Sequence, residues 1–189
     1  MPTTEAAQAF LAAGVSTVLA WAAISDVRTR RIPNASVLTL LALFLAWIVT
    51  ESGASIVSEL EAGAIAFVVT FALFQFRVVG AGDSKLFAAA ALFLGLGYLP
   101  YFAFATAVAG GVIAVISLAS RPRRTMAMLA LKEKGDFGRG VPYGAAIAAG
   151  GVFAIWAMWA SYLPPYTFSA EAKPTAHGIA WVLAQHGRH

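Results

Sequence analysis

Six long apolar runs, parted by charged or turn-forming residues, constrain this chain more than any other feature: residues 6–25, 35–50, 62–76, 86–99, 101–119 and 143–163. A helix that crosses a bilayer needs ~20 predominantly apolar residues to cover a hydrocarbon core of ~30 Å, so six crossings would consume most of the 189 residues. The chain is 60% apolar and 12% charged, against roughly 45–50% and about 25% in a soluble domain, which excludes a water-soluble globule. The expected fold is all-α: a polytopic membrane protein with about six transmembrane helices. The runs 62–76 and 86–99 are short and must borrow length from Glu61 and from Val78–Val79–Gly80. No Lys or Arg precedes Arg28, so the first run lacks the positive flank of a secretory signal and is expected to remain as a helix.

Charge placement orients the expected bundle. Arg28, Arg30 and Arg31 follow the first run, Arg77 and Lys85 follow the third, and Arg121, Arg123, Arg124, Lys132, Lys134 and Arg139 follow the fifth, leaving only Lys173 and Arg188 on the other side. The positive-inside rule puts the larger group in the cytoplasm and both termini outside. The same rule accounts for the net charge of +4, so nucleic acid is not an expected partner. No connection is long enough to bury a core of its own, which leaves one membrane domain, residues 1–163, and an extracytoplasmic tail, residues 164–189. Residues 123–132 read either as a short interfacial helix or as a plain basic loop. His177, His186 and His189 in the tail read as a polar end, not a metal site. Gly110–Gly111 and Gly150–Gly151 read as helix-packing surfaces, and Trp21, Trp47, Trp156 and Trp159 as interfacial or packing aromatics. With no cysteine, disulfides, thiol nucleophiles and thiolate zinc sites are excluded.

Chemistry therefore falls to other side chains, and three aspartates stand out. Asp136 lies in a Gly135–Asp136–Phe137–Gly138 turn. Asp26 ends the first run, Asp83 opens the fourth within Gly80–Ala81–Gly82–Asp83–Ser84–Lys85, and alternating topology brings both to the cytoplasmic boundary. Singly, Asp26 reads as a helix-end carboxylate beside arginines and Asp83 as an N-cap. As a pair at membrane depth they point to function. Gly80 and Gly82 are expected to allow positive φ and the close approach of another chain. Two carboxylates within reach of one water suit peptide hydrolysis, because like charges at short range keep one proton between them, giving one base and one acid. Lys85 is expected to hold the loop or meet lipid phosphate, with a topology charge as the plainer alternative.

The Asp26 segment with Arg30–Arg31–Ile32–Pro33–Asn34, the GxGD-type Gly80–Ala81–Gly82–Asp83 with Lys85, and Val141–Pro142–Tyr143–Gly144 together resemble the type IV prepilin peptidases, within them the short Tad/Flp-pilus branch. The resemblance spans residues 6–163. It implies an aspartic endopeptidase of the bacterial cytoplasmic (inner) membrane that removes the leader of prepilins or pseudopilins after a glycine on the cytoplasmic side. Asp26 and Asp83 would be the catalytic pair, Gly80, Gly82 and Lys85 would position the loop or substrate, and no cofactor or metal is implied. Pro142, Tyr143 and Gly144 would be structural. The longer members carry a cysteine-bearing cytoplasmic domain that this sequence lacks, so N-methylation of the product is not expected. The competing readings are an ion-coupled transporter component, whose aspartates would sit near the midplane on broken helices, and an inactive pilus or secretion assembly factor.

Overall fold

In the computed structural model, residues 2–50, 56–119 and 142–162 are described, and they form six helices. These are α1 (Pro2–Thr29), α2 (Asn34–Thr50), α3 (Ile56–Gln75), α4 (Ala81–Ala91), α5 (Gly95–Ala119) and α6 (Tyr143–Tyr162). Four of them contain stretches long and apolar enough to cross a membrane: Ala9–Thr29, Ile56–Gln75, Gly95–Ser117 and Tyr143–Ala160. Asn34–Val49 in α2 is apolar but shorter. The basic connection 120–141, with Asp136, and the tail 164–189, with its three histidines, lie outside the described residues.

The expected fourth span, 86–99, is not one helix. α4 has 11 residues, a length of about 16 Å at 1.5 Å per residue, too short to cross alone. The N–H of Phe93 bonds to the carbonyl of Ala90 at 3.2 Å and that of Leu94 to Ala91 at 3.1 Å, tightening the end of α4. Gly95 then turns the chain at φ +63, a left-handed conformation that L-residues with a Cβ rarely adopt. Leu92, Phe93 and Leu94 are as apolar as the helices they join, so a hydropathy profile passes straight through the break. The fifth helix accordingly starts at Gly95 instead of 101, and Pro100 lies within it.

Side-chain contacts set the helix directions. Gly144 meets Asp26 and Gly151 meets Leu19, and the Trp156 indole N–H donates to the Ser16 hydroxyl at 3.1 Å, so α6 runs antiparallel to α1. Gly110 faces Ala146 and Gly150 faces Thr106, so α5 runs antiparallel to α6 on its other side. Ser84 pairs with Thr70, Leu92 meets Gly63 and the Leu96 N–H donates to Ser58, so α4 and the turn after it run back along α3. α4 also touches α2, α5 and α6. Asp26, the Gly80–Asp83 turn and Gly144 consequently share one end of the bundle.

The core around α4 is built from Leu19, Leu40, Phe44, Leu86, Phe93, Phe102 and Ile147, with Ala89, Ala90 and Ala91 keeping the central helix slim. Phe87 stacks on Phe102 with ring centroids 4.3 Å apart, and Phe44 and Trp47 meet Phe93 edge-on. Large apolar side chains remain exposed on the outer faces, among them Leu45 on α2, Phe67, Val68 and Phe71 on α3, and Phe104, Val108 and Val115 on α5. On helices of this length, such a surface is suited to lipid tails.

Three of the four expected packing glycines sit at contacts. A Cβ at Gly150 would lie 2.7 Å from the backbone nitrogen of Thr106, one at Gly151 would lie 3.0 Å from Leu19, and one at Gly110 would lie 3.6 Å from Ala146, whereas Gly111 faces open space. Gly150→Ala is therefore expected to lower the thermal stability of the detergent-solubilised protein by about 1–3 kcal/mol, the usual cost of overpacking a close contact. Gly111→Ala should leave the melting temperature unchanged or slightly raised. Equal melting temperatures for the two variants would contradict the packing role of Gly150.

Candidate active site

Asp26 lies in the last turn of α1 and is only 7% exposed. Its Oδ2 accepts the N–H of Gly144 at 2.9 Å, across 118 residues of sequence. Gly144 is the second residue of α6, and the first N–H groups of a helix have no partner within it. The carboxyl thus caps a helix other than its own, at the end where the peptide dipoles favour negative charge. The fit requires glycine, since a Cβ at 144 would lie 2.9 Å from Oδ2 and 3.0 Å from the Cβ of Asp26. Arg30 follows α1 at φ 55, its own N–H bonding to the Asp26 carbonyl at 2.8 Å.

Asp83 does not occupy the N-cap expected for it. Gly80 is the N-cap and Asp83 the third residue of α4. Its Oδ2 reaches back to accept the Gly80 N–H at 3.2 Å, the carboxylate half of a capping box. Nor do Gly80 and Gly82 adopt positive φ: Gly80 is extended, at φ −77 and ψ 153, and Gly82 is helical. The absence of a side chain matters at both positions through space alone. A Cβ at Gly80 would lie 2.9 Å from the Asp83 carboxyl, and one at Gly82 would lie 3.3 Å from the Cβ of Ile32. The group that comes close is this chain's own.

The first turn of α4 is anchored sideways by two hydroxyls. Ser84 Oγ donates to the Thr70 carbonyl at 3.0 Å, or to that of Gly80 at 3.2 Å, and Thr70 Oγ1 lies 2.6 Å from the Ala66 carbonyl and 3.4 Å from that of Ser84. Both residues are buried. This clasp on α3 holds the residue next to Asp83, and nothing in the sequence motif singled it out. Lys85 points outward and is exposed.

Ile32 touches both the Gly82 position, beside Asp83, and the Gly144 position, whose N–H holds Asp26. Gly144 was legible only as a helix-entry residue. The signal that could have placed it was Pro142, whose position marks the helix start and makes the following N–H groups free donors. Among the described residues, no group of three His, Asp or Glu side chains gathers as a metal site. Two carboxyls at one end of a bundle, each with one oxygen engaged by a backbone N–H, are the groups that sharing a proton over one water would require.

The family model described as the type IV leader peptidase family matches residues 13–115, more than half of the chain. The matched stretch contains Asp26, Ile32, Gly80, Gly82 and Asp83 and ends within α5, before Gly144. No curated protein and no solved structure matches the chain significantly.

Ser84→Ala removes the clasp hydroxyl while keeping the small buried side chain. It is expected to destabilise the protein by about 1 kcal/mol, the net worth of a typical intramolecular hydrogen bond, and to do so non-additively with Thr70→Val. Thermal unfolding of the two single variants and the double variant measures both. Strict additivity would mean that the two hydroxyls do not act together.

Proposed function

We propose, from the premise that this chain belongs to the type IV leader peptidase family, that it cleaves Flp-like prepilins with Asp26 and Asp83 as its catalytic pair. Membership makes it a peptidase, a hydrolase acting on prepilin leader peptides. The observation that carries the finer reading is geometric: α1 and α4 bring the two carboxyls to one end of the bundle, where the Ile32 side chain lies against both Gly82, next to Asp83, and Gly144, whose N–H holds Asp26.

In the proposed mechanism the ionised carboxylate takes a proton from water as its oxygen attacks the scissile carbonyl carbon. The protonated carboxyl gives its proton to the carbonyl oxygen. The tetrahedral intermediate then collapses: its hydroxyl returns a proton to the pair, the C–N bond breaks, and the leaving amine takes up the proton first removed from water. General acid–base help of this kind is worth ~10²–10⁴-fold, and the proton belongs to the pair as a unit.

Arg28, Arg30, Arg31, Arg77 and Lys85 are exposed and flank the aspartate end, which supports a cytoplasmic active face, six crossings with both termini outside, and residence in the bacterial inner membrane. α4 and the turn after it would together make the fourth crossing. Lys85 would meet lipid phosphate or hold the loop, residues 1–163 would form the peptidase domain, and residues 164–189 an extracytoplasmic tail. Aspartates at a helix end and a helix start, away from the break at 92–95, favour peptidase over transporter.

Asp26→Asn and Asp83→Asn should each lower leader removal at least ~10²-fold at normal abundance, with the double variant scarcely worse than either, since jointly required groups do not add. Asp136→Asn should cleave normally. Co-expression with a Flp-like prepilin and mass analysis of the product reads all of these, and the released amino terminus should be unmethylated. Near-normal cleavage by either single variant would remove the pair from the mechanism.

Orientation is tested separately. Cysteines introduced at Arg30 and Arg77 should be labelled only from the cytoplasmic side, and those at Ser55 and Thr175 only from outside. External labelling at position 30 would reverse the bundle and the active face with it.

A further inference from the structure

The short connection between α1 and α2 is held in shape by its own residues. Ser25 Oγ donates to the Arg31 carbonyl at 3.0 Å, the Arg30 N–H closes on the Asp26 carbonyl at 2.8 Å, and Ser36 Oγ donates to the Pro33 carbonyl at 2.7 Å. Arg30 and Arg31 project into the open, while Ile32 turns inward and packs against the core. Its side chain meets the two positions that bear on the carboxyls. On one side is Gly82, where a Cβ would lie 3.3 Å from the Ile32 Cβ. On the other is Gly144, where a Cβ would lie 3.0 Å from the Ile32 Cδ1. Gly82 immediately precedes Asp83 on α4, and the Gly144 N–H holds Asp26.

We infer that Ile32 is a positioning residue, a spacer between the start of α4 and the start of α6 whose width sets the separation of Asp26 and Asp83. An aliphatic side chain suits the task because it holds distance without competing for the shared proton. Branching at Cβ limits its rotamers, so its width is better defined than that of an unbranched chain. Glycine on both sides lets backbone, not side chain, rest on the spacer. Among the described residues, the charged groups bearing on the pair are the two carboxyls and Arg30, and α6 brings backbone N–H groups. Spacing is therefore the main variable that Ile32 can change. The role in catalysis rests on the reading of Asp26 and Asp83 as the catalytic pair, whereas the role in setting their separation does not.

The test uses the full-length chain in detergent and two readouts. Carboxyl titration is followed by difference infrared spectroscopy, with Asp26→Asn and Asp83→Asn assigning the bands, and cleavage of a Flp-type prepilin is followed across pH. Ile32→Ala lets α4 and α6 close, so the interval between the two apparent pKa values of the pair widens by on the order of half a unit and the pH–rate bell broadens with it. kcat falls about tenfold with KM nearly unchanged, as for a group acting on the transition state. Gly82→Ala pushes α4 off the spacer and narrows the interval, while Ile32→Val, which keeps the Cβ beside Gly82 but loses the Cδ1 beside Gly144, widens it by less than Ile32→Ala does. Loss of packing alone would lower the yield of folded protein without moving the interval. An Ile32→Ala interval equal to wild type, or shifts of the same sign in Ile32→Ala and Gly82→Ala, would overturn the inference. Should Ile32→Ala fail to fold, an unmoved interval in Gly82→Ala overturns it. A wild-type pair that titrates together and responds to Ile32→Ala as expected, yet cuts no prepilin, would keep the spacer and remove the catalytic reading of the pair.

Discussion

The contact on which the site depends is the hydrogen bond from the Gly144 N–H to Asp26 Oδ2. Each partner removes a cost that the other would otherwise bear. A buried carboxyl is expensive without donors, and the first N–H groups of α6 lack an intrahelical acceptor. Because α6 packs between α1 and α5, this bond fixes one point of the depth at which those helices meet.

Close approach is the second condition, and small residues supply it at each level. Gly150 and Gly151 seat α6 against α5 and α1, Ala89 to Ala91 keep α4 thin enough to touch four neighbours, and Gly82 and Gly144 admit Ile32 between the helix starts. In lipid no hydrophobic force drives helices together, so association rests on van der Waals packing and on the few polar bonds available. The Ser84–Thr70 clasp is one such bond. It ties the shortest helix to α3 beside Asp83.

Membership in the type IV leader peptidase family agrees with this division of labour. Arg28, Arg30, Arg31, Arg77 and Lys85 flank the end that carries the aspartates, and exposed apolar side chains cover the outer faces of the helices. Under the proposed reading, a prepilin leader meets the carboxyls at the cytoplasmic boundary, where water is available as the nucleophile and the apolar remainder of the substrate can stay in lipid.

Hydropathy alone determined that the chain is helical and apolar along most of its length, and the resemblance of its motifs led to the family and to the two aspartates. Both kinds of signal are local. An apolar run reports a summed transfer tendency over a window, and a motif reports residue types at short spacing. Neither carries the sign of a backbone angle, so the break at Gly95 and the negative φ of Gly80 were invisible. Neither relates residues far apart in the sequence, so the Gly144 donor to Asp26 and the seat of Ile32 between two helix starts were decided only by the tertiary structure. The physical reason is that a Cβ contact of about 3 Å and a hydrogen bond of 2.9 Å depend on how helices are stacked in depth and rotation, which packing settles after every span has been chosen by its hydropathy.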